Sequence, residues 1–424
     1  MKRNRLLSVI LCLGLIGHAI LVGFYAWPSA KRANHGRDFA SYYYAVDVVT
    51  AGGNPYDKKV LVQAARADQK RSGVHPYFYP PPFLLFFQWV IWLPLATAYR
   101  LWFWLDELAT LAAVLSLWRW WRPLGPAVLP VTVVAVAACS AVPNNHLMGQ
   151  MNLPVLAMVL GALYFHSRER AGVAGVFLGT ACMWKMSPAL FLLYWLWERQ
   201  WRPVFWALGT MVVLSIMALA LWGVDVTWSF YGTVLPGFGS GTYNGLSVPI
   251  SLFGNHSIAN LWHAAWPKAH PGLSDAARIA SGVSALGLVG VTAAVFWRNR
   301  AGVLGFAARP AALCALMLML PVYTYEHHLI WLLPAVVLTV LATAQGRIPW
   351  FAVVPLVFSW CGWAFPLWKL KQWAIQLNQW GYGEWASVSL QEWKTASCFI
   401  LWLACLFLIL RAPALPGQSG ERGS

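Results

Sequence analysis

The chain has 424 residues, 59% of them hydrophobic and 10% charged, and a net charge of +16. An ordinary soluble domain is about 25% charged, so composition excludes a soluble globular protein and predicts an integral membrane one. The basic residues sit in short clusters between apolar runs, as retained cytoplasmic loops do, which argues against a nucleic-acid partner.

Apolar segments of about 20 residues cross a bilayer as helices, because the hydrocarbon offers backbone groups no water. The runs here are continuous, without the period-two alternation of a barrel, so the expected fold is all-α and polytopic. Residues 6–27 are too long for a signal-peptide core and follow Lys2, Arg3 and Arg5, predicting an uncleaved first span with a cytoplasmic N-terminus. Residues 28–81 read as a first extracytoplasmic loop with short helices over 40–51 and 58–70. Val60, Leu61, Ala64 and Ala65 share one side of the second, as on a helix lying on the membrane surface.

Residues 83–118, interrupted at Pro94, are read as one net crossing, either a broken helix or a re-entrant turn plus a span. Further spans are expected near 127–142, 153–166, 172–184, 188–197, 204–222, 282–297, 310–325, 328–345, 350–366 and 397–411, about twelve in all. The expected organisation is a single domain over 1–411, a second large extracytoplasmic loop at 223–280 and a disordered cytoplasmic tail at 412–424. The seven cysteines all lie in apolar runs and read as small buried hydrophobes, with no CxxC metal pattern.

With the basic clusters at Arg119/Arg122, Arg168/Arg170, Arg199/Arg202, Arg298/Arg300 and Arg347 held cytoplasmic, several polar residues land together on the extracytoplasmic side. They are Asp38, the 144–152 turn, Lys185, the 223–280 loop and Glu326-His327-His328. Asp38 is the candidate catalytic base, although an Asp ahead of Ser41-Tyr42-Tyr43-Tyr44 N-caps a helix just as readily. Lys185 interrupts an apolar stretch, where a cation is costly and marks a cavity or a partner; at a hairpin top it merely snorkels. His327 and His328 are adjacent and point to different sides of a helix. Gln150 and Asn152 suit sugar hydroxyls or cap the next helix. Asp106-Glu107 is an acid pair inside an apolar segment, read as a paired buried charge or a helix break. No DxD pair or zinc-ligand spacing is present, so neither metal nor cofactor is expected.

These pieces, in order, resemble glycosyltransferase family 87 of the GT-C superfamily. They are Asp38-Phe39 with Tyr42 to Tyr44, Gly53-Asn54-Pro55-Tyr56-Asp57, Tyr79-Pro80-Pro81, Leu95 to Tyr99 with Trp102, Gly149 to Asn152, Gly175 to Pro188 with Lys185, Asn255-His256-Ser257 and His327-His328. Asn-His-Ser stands where the family commonly carries Asn-Gln-Ser. The resemblance implies a GT-C-type fold in a bacterial cytoplasmic membrane. It implies transfer of a hexose, mannose foremost, from a polyprenyl-phosphate sugar to a glycolipid or glycan acceptor on the extracytoplasmic face, in contact with membrane lipid. In that chemistry Asp38 is the general base and His327 or His328 assists. Lys185 and Arg37 meet the donor phosphate. Tyr42, Asn54, Tyr56, Gln150, Asn152 and Asn255 line the substrate. A transporter or flippase without chemistry is the alternative, though no matching pair of Gly/Pro-broken segments marks two halves. A lipid-linked polysaccharide polymerase or ligase is another.

Overall fold

The computed structural model describes residues 2–31, 36–68, 74–239, 242–243, 246–247, 250, 253–268, 272–298, 304–381 and 383–411. The tail expected to be disordered, 412–424, lies outside the described residues. The chain is helical nearly throughout, apart from a two-residue antiparallel pairing of Thr242–Tyr243 with Leu246–Ser247. Among the described residues, six helices are long and apolar enough to cross a membrane: Asn4–Ala26, Leu95–Leu124, Trp201–Gly237, Asp275–Arg298, Glu326–Ala344 and Val388–Arg411. Two bent pairs, Val128–Ala138 with Ala141–Met148 (58°) and Trp350–Ala364 with Leu367–Gln379 (99°), raise the number to eight when each is one span. The expected twelve is therefore not reached by length and composition. Several helices placed correctly from sequence are simply short, Ala189–Trp197 having nine residues.

α1 (Lys2–Ile20) continues through a π-turn at Leu21–Ala26. α2 (Arg37–Thr50) and α3 (Lys58–Ala67) are the two short loop helices, within a few residues of their expected bounds. α3 does not present its apolar side to a membrane surface: Leu61 and Ala65 are fully buried in the protein core. The 83–118 region resolves into a short apolar 3₁₀ segment, Pro81–Trp92, and then α4 (Leu95–Trp121). Pro94, just before α4, carries no N–H and cannot continue a helical ladder, so the break falls there.

α5 (Val128–Ala138), α6 (Ala141–Met148), α7 (Asn152–Ser167), α8 (Ala171–Trp184) and α9 (Ala189–Trp197) follow as short elements. α10 (Trp201–Trp228) bends at Gly223 (φ 82°) and stays helical to Gly237, so much of the start of the loop expected at 223–280 is helix. α11 (Ile258–Ala265), α12 (Asp275–Arg298) and α13 (Gly305–Met319) lead to a 3₁₀ segment, Glu326–Leu332, that runs into α14 (Leu333–Ala344). α15 (Trp350–Ala364), α16 (Leu367–Gln379) and α17 (Gly383–Arg411) complete the chain. The larger apolar core draws on residues from Val22 to Ile409 and a smaller one gathers Ile250, Ala259, Leu273, Ala277 and Tyr323, while α10, α12 and α15 expose many large apolar side chains, as lipid-facing helices do.

Candidate active site

Four helix ends meet around Asp38. α2 begins at Gly36, whose left-handed backbone (φ 77°) turns the chain sharply and whose N–H donates to the Leu147 carbonyl at 2.7 Å. Asp38 is the second residue of α2 and does not cap it; no side-chain cap bond forms there. Asp38 is buried, only 8% of the residue being exposed, and its carboxylate reaches across to other elements. Oδ1 lies 2.7 Å from His75 Nδ1, and Oδ2 accepts from Gln150 Nε2 at 2.8 Å. Burial alone pushes the carboxyl up. The hydrogen bond and charge of His75, then His327 and Gln150, outweigh that and hold it below the ordinary carboxylate range. The same contact raises His75 above 6.5, against its partial burial and the nearby Arg37 charge.

Gln150 is aimed by its own surroundings. Tyr79 donates its hydroxyl to Gln150 Oε1 (3.0 Å) and receives that of Tyr42 (2.7 Å). Gly149, in the left-handed region (φ 67°), ends α6, and a Cβ there would meet Phe39 Cβ at 2.6 Å. Only glycine lets the Gln150 turn approach α2 so closely.

Asn152 opens α7 but caps nothing. Its Oδ1 accepts from Lys185 Nζ at 2.6 Å and its Nδ2 donates to Asn145 Oδ1 at 3.2 Å. Lys185, at the end of α8, therefore turns inward and does not snorkel outward. Asn145 in turn donates to the Gln150 carbonyl (3.1 Å) and to Asp106 Oδ2 (2.8 Å). Asp106 and Glu107 leave α4 unbroken and are paired. His146 lies between them, Nδ1 at 2.6 Å from Asp106 Oδ2 and Nε2 at 2.6 Å from Glu107 Oε1. His18 of α1 stands 2.9 Å from Glu107 Oε2.

Of the histidine pair, His327 is the one whose charge bears on Asp38. His328 Nδ1 instead accepts the Tyr325 N–H at 3.1 Å. The two rings sit edge to face, 4.5 Å between centroids. Glu326, just before them, accepts from Ser140 and forms a buried ion pair with Lys394 Nζ at 3.1 Å.

The remaining predicted residues are spread differently. Arg37 is exposed at the start of α2. Tyr42 is fully buried behind Tyr79. Tyr56 donates its hydroxyl to the Tyr79 carbonyl (2.6 Å), and Asn54 Nδ2 donates to Ser229 Oγ (2.7 Å). Asn255 is fully buried, its amide donating to the Ile250 and Val322 carbonyls and accepting from the Ser257 and Thr324 N–H groups. Tyr42, Tyr56, Asn54 and Asn255 are thus engaged by protein partners. Sequence reasoning did not single out His75, Asn145 or Lys394, because each gains its meaning only through a tertiary contact.

The family model for glycosyltransferase family 87 matches residues 77–324, a span containing Tyr79, Gln150, Asn152 and Lys185. The chain is 26% identical over 343 residues to the polyprenol-phosphate-mannose-dependent alpha-(1-2)-phosphatidylinositol mannoside mannosyltransferase of Mycolicibacterium smegmatis, covering 74% of this chain and 73% of that one. It is 25% identical over 347 residues to the protein of the same name from Mycobacterium tuberculosis, covering 77% and 75%. With more than half of its length matched, this predominantly helical, multi-pass chain belongs to glycosyltransferase family 87 and is a membrane glycosyltransferase of the GT-C type.

Proposed function

We propose that the protein transfers mannose from a polyprenyl-phosphate mannose to a glycolipid acceptor on the extracytoplasmic face of a bacterial cytoplasmic membrane. The relatives' names support the donor, and they make phosphatidylinositol mannosides the first acceptors to try. The observation that carries the reading is the buried Asp38 carboxylate, kept ionised and held from two sides by His75 and Gln150.

An acceptor hydroxyl attacks the anomeric carbon, the bond from that carbon to the phosphate oxygen breaks, and the hydroxyl proton passes to Asp38. The released polyprenyl phosphate gains negative charge, which cations stabilise. Lys185, close enough to interact with the Asp38 charge, meets that phosphate as a cation, His327 offers it a hydrogen bond, and exposed Arg37 meets it on approach. The charged neighbours that bear most on Asp38 are histidines and not a second carboxylate. That composition suits single displacement with inversion, by analogy with sugar hydrolysis.

The test is transfer by purified protein in nanodiscs from radiolabelled polyprenyl-phosphate mannose to phosphatidylinositol mannosides and to a bacterial glycolipid extract, comparing wild type with Asp38→Asn. A fall of about 100-fold or more, with donor binding kept, is expected on loss of a general base. Equal transfer by both proteins removes Asp38 from that role.

A further inference from the structure

His75 touches the proposed base more closely than any other charged group, yet it lies 37 residues downstream in a stretch without regular secondary structure. Its side chain is 38% exposed and that of Asp38 11%, so His75 forms the solvent side of the carboxylate while Gln150 forms its protein side. With one oxygen tied to each, the plane of the carboxylate is fixed and one lone pair per oxygen stays open. A charge-assisted hydrogen bond of this kind is short and about twice as strong as a neutral one.

We propose that His75 is the positioning residue of the Asp38 base: it fixes the carboxylate's orientation through Nδ1 and, by gaining and losing its own proton, sets how strongly Asp38 takes one from the acceptor. The role rests on the reading of Asp38 as the base. With imidazolium beside it, Asp38 sits in an ion pair and is a weak base. When His75 is neutral, the hydrogen bond persists but the opposing charge is gone, and the carboxylate holds a proton more strongly. The other titratable groups facing this pair are Arg37 on α2, His327 on the Glu326–Leu332 segment and Lys185 at the end of α8. None of them forms a hydrogen bond to Asp38 among the described residues.

Asparagine places an amide N–H near the position of Nδ1 without a titrating charge, so His75→Asn separates orientation from charge, while His75→Ala removes both. In the transfer assay above, His75→Ala is expected to lower kcat about tenfold or more with KM little changed, the size of one lost hydrogen bond to a charged group. His75→Asn should recover most of kcat. Wild-type kcat should climb with pH through an inflection above 6.5, and this inflection should vanish in His75→Asn. An unchanged inflection in His75→Asn overturns the proposal.

A second readout needs no acceptor. Diethyl pyrocarbonate modifies neutral imidazole, and the extent at His75 is read against pH by peptide mass spectrometry. The half-point should lie above 6.5 in wild type and fall in Asp38→Asn. No shift means the pair is absent in solution and overturns the proposal whatever the acceptor. A shift combined with undiminished transfer by Asp38→Asn overturns the base reading itself, and the positioning role with it.

Discussion

Lys185 Nζ and Asn152 Oδ1 stand 2.6 Å apart, joining the end of α8 to the start of α7, with this cation near enough to Asp38 for their charges to interact. If that cation receives the donor phosphate, Lys185→Met should raise the donor KM about tenfold or more, as expected for a lost charge-assisted contact. Binding of labelled polyprenyl-phosphate mannose, measured beside thermal stability, checks it. Wild-type donor affinity in the variant would reduce Lys185 to a helix tie.

The Glu326–Lys394 pair predicts a different pattern. Both side chains are almost wholly buried, and Ser140 shares the carboxylate. Lys394→Met leaves Glu326 with only Ser140 and His256, whose Nε2 is 3.4 Å away, and loss of the cation costs about 3–5 kcal/mol for a buried pair. Adding Glu326→Gln should return part of that loss, since no unpaired charge is then left. Thermal denaturation in detergent gives the comparison, and a double variant no more stable than Lys394→Met would show that the two are not coupled.

Gly149 and Gly346 share a left-handed backbone, with φ of 67° and 68°, but only Gly149 is crowded; nothing lies within 4 Å of a Cβ built at Gly346. Alanine at either position pays about 1–2 kcal/mol for the backbone alone. At Gly149 the clash with Phe39 and Tyr99 comes on top, so Gly149→Ala should be the less stable variant by at least about 1 kcal/mol. It should also lose transfer, because Gln150 moves with the turn. Equal melting temperatures for the two variants would mean that α2 yields freely.

The Asp38–His75 contact has a pH signature in stability as well as in rate. Asp38 is lowered, so its contribution is present above about 4, the ordinary carboxylate value, and is lost as pH falls through the lower folded value. His75 is raised, so its contribution is complete below 6.5 and fades as pH rises through the higher folded value. The melting-temperature deficit of His75→Ala against wild type should therefore be widest between about pH 4 and 6.5 and narrow on either side. A deficit that does not vary with pH would contradict the pairing.

Much of this arrangement was legible in the sequence because charge inside an apolar chain is costly and so carries information. Asp38, Lys185, Gln150, Asn152 and His327 were each visible as polar residues at the ends of apolar runs, and the structure brings them to one place. The choice between cap and site for Asp38 was not legible, since it turns on Gly36 taking the cap position one residue before α2. Nor was His75, which has no periodic context and acquires its partner across 37 residues. The apolar side of α3 misled for a related reason: periodicity marks a buried face but does not say whether protein or lipid buries it. Asp106-Glu107 was recognisable as a buried pair, whereas His146 and His18, 40 and 89 residues away from their partners, were not.

Tyr99 carries the last consequence. Its hydroxyl donates to the His146 carbonyl (2.7 Å) and lies 3.2 Å from that of Leu147, which also takes the Gly36 N–H. Its ring edge fills the space that a side chain at Gly36 or Gly149 would need. The segment bearing Asp38 and the turn bearing Gln150 are thus two jaws closed on one ring, and they cannot part without breaking all of these contacts at once. The Asp38 carboxylate is held in place by the fold itself, and movement during turnover is expected in parts of the molecule beyond this clamp.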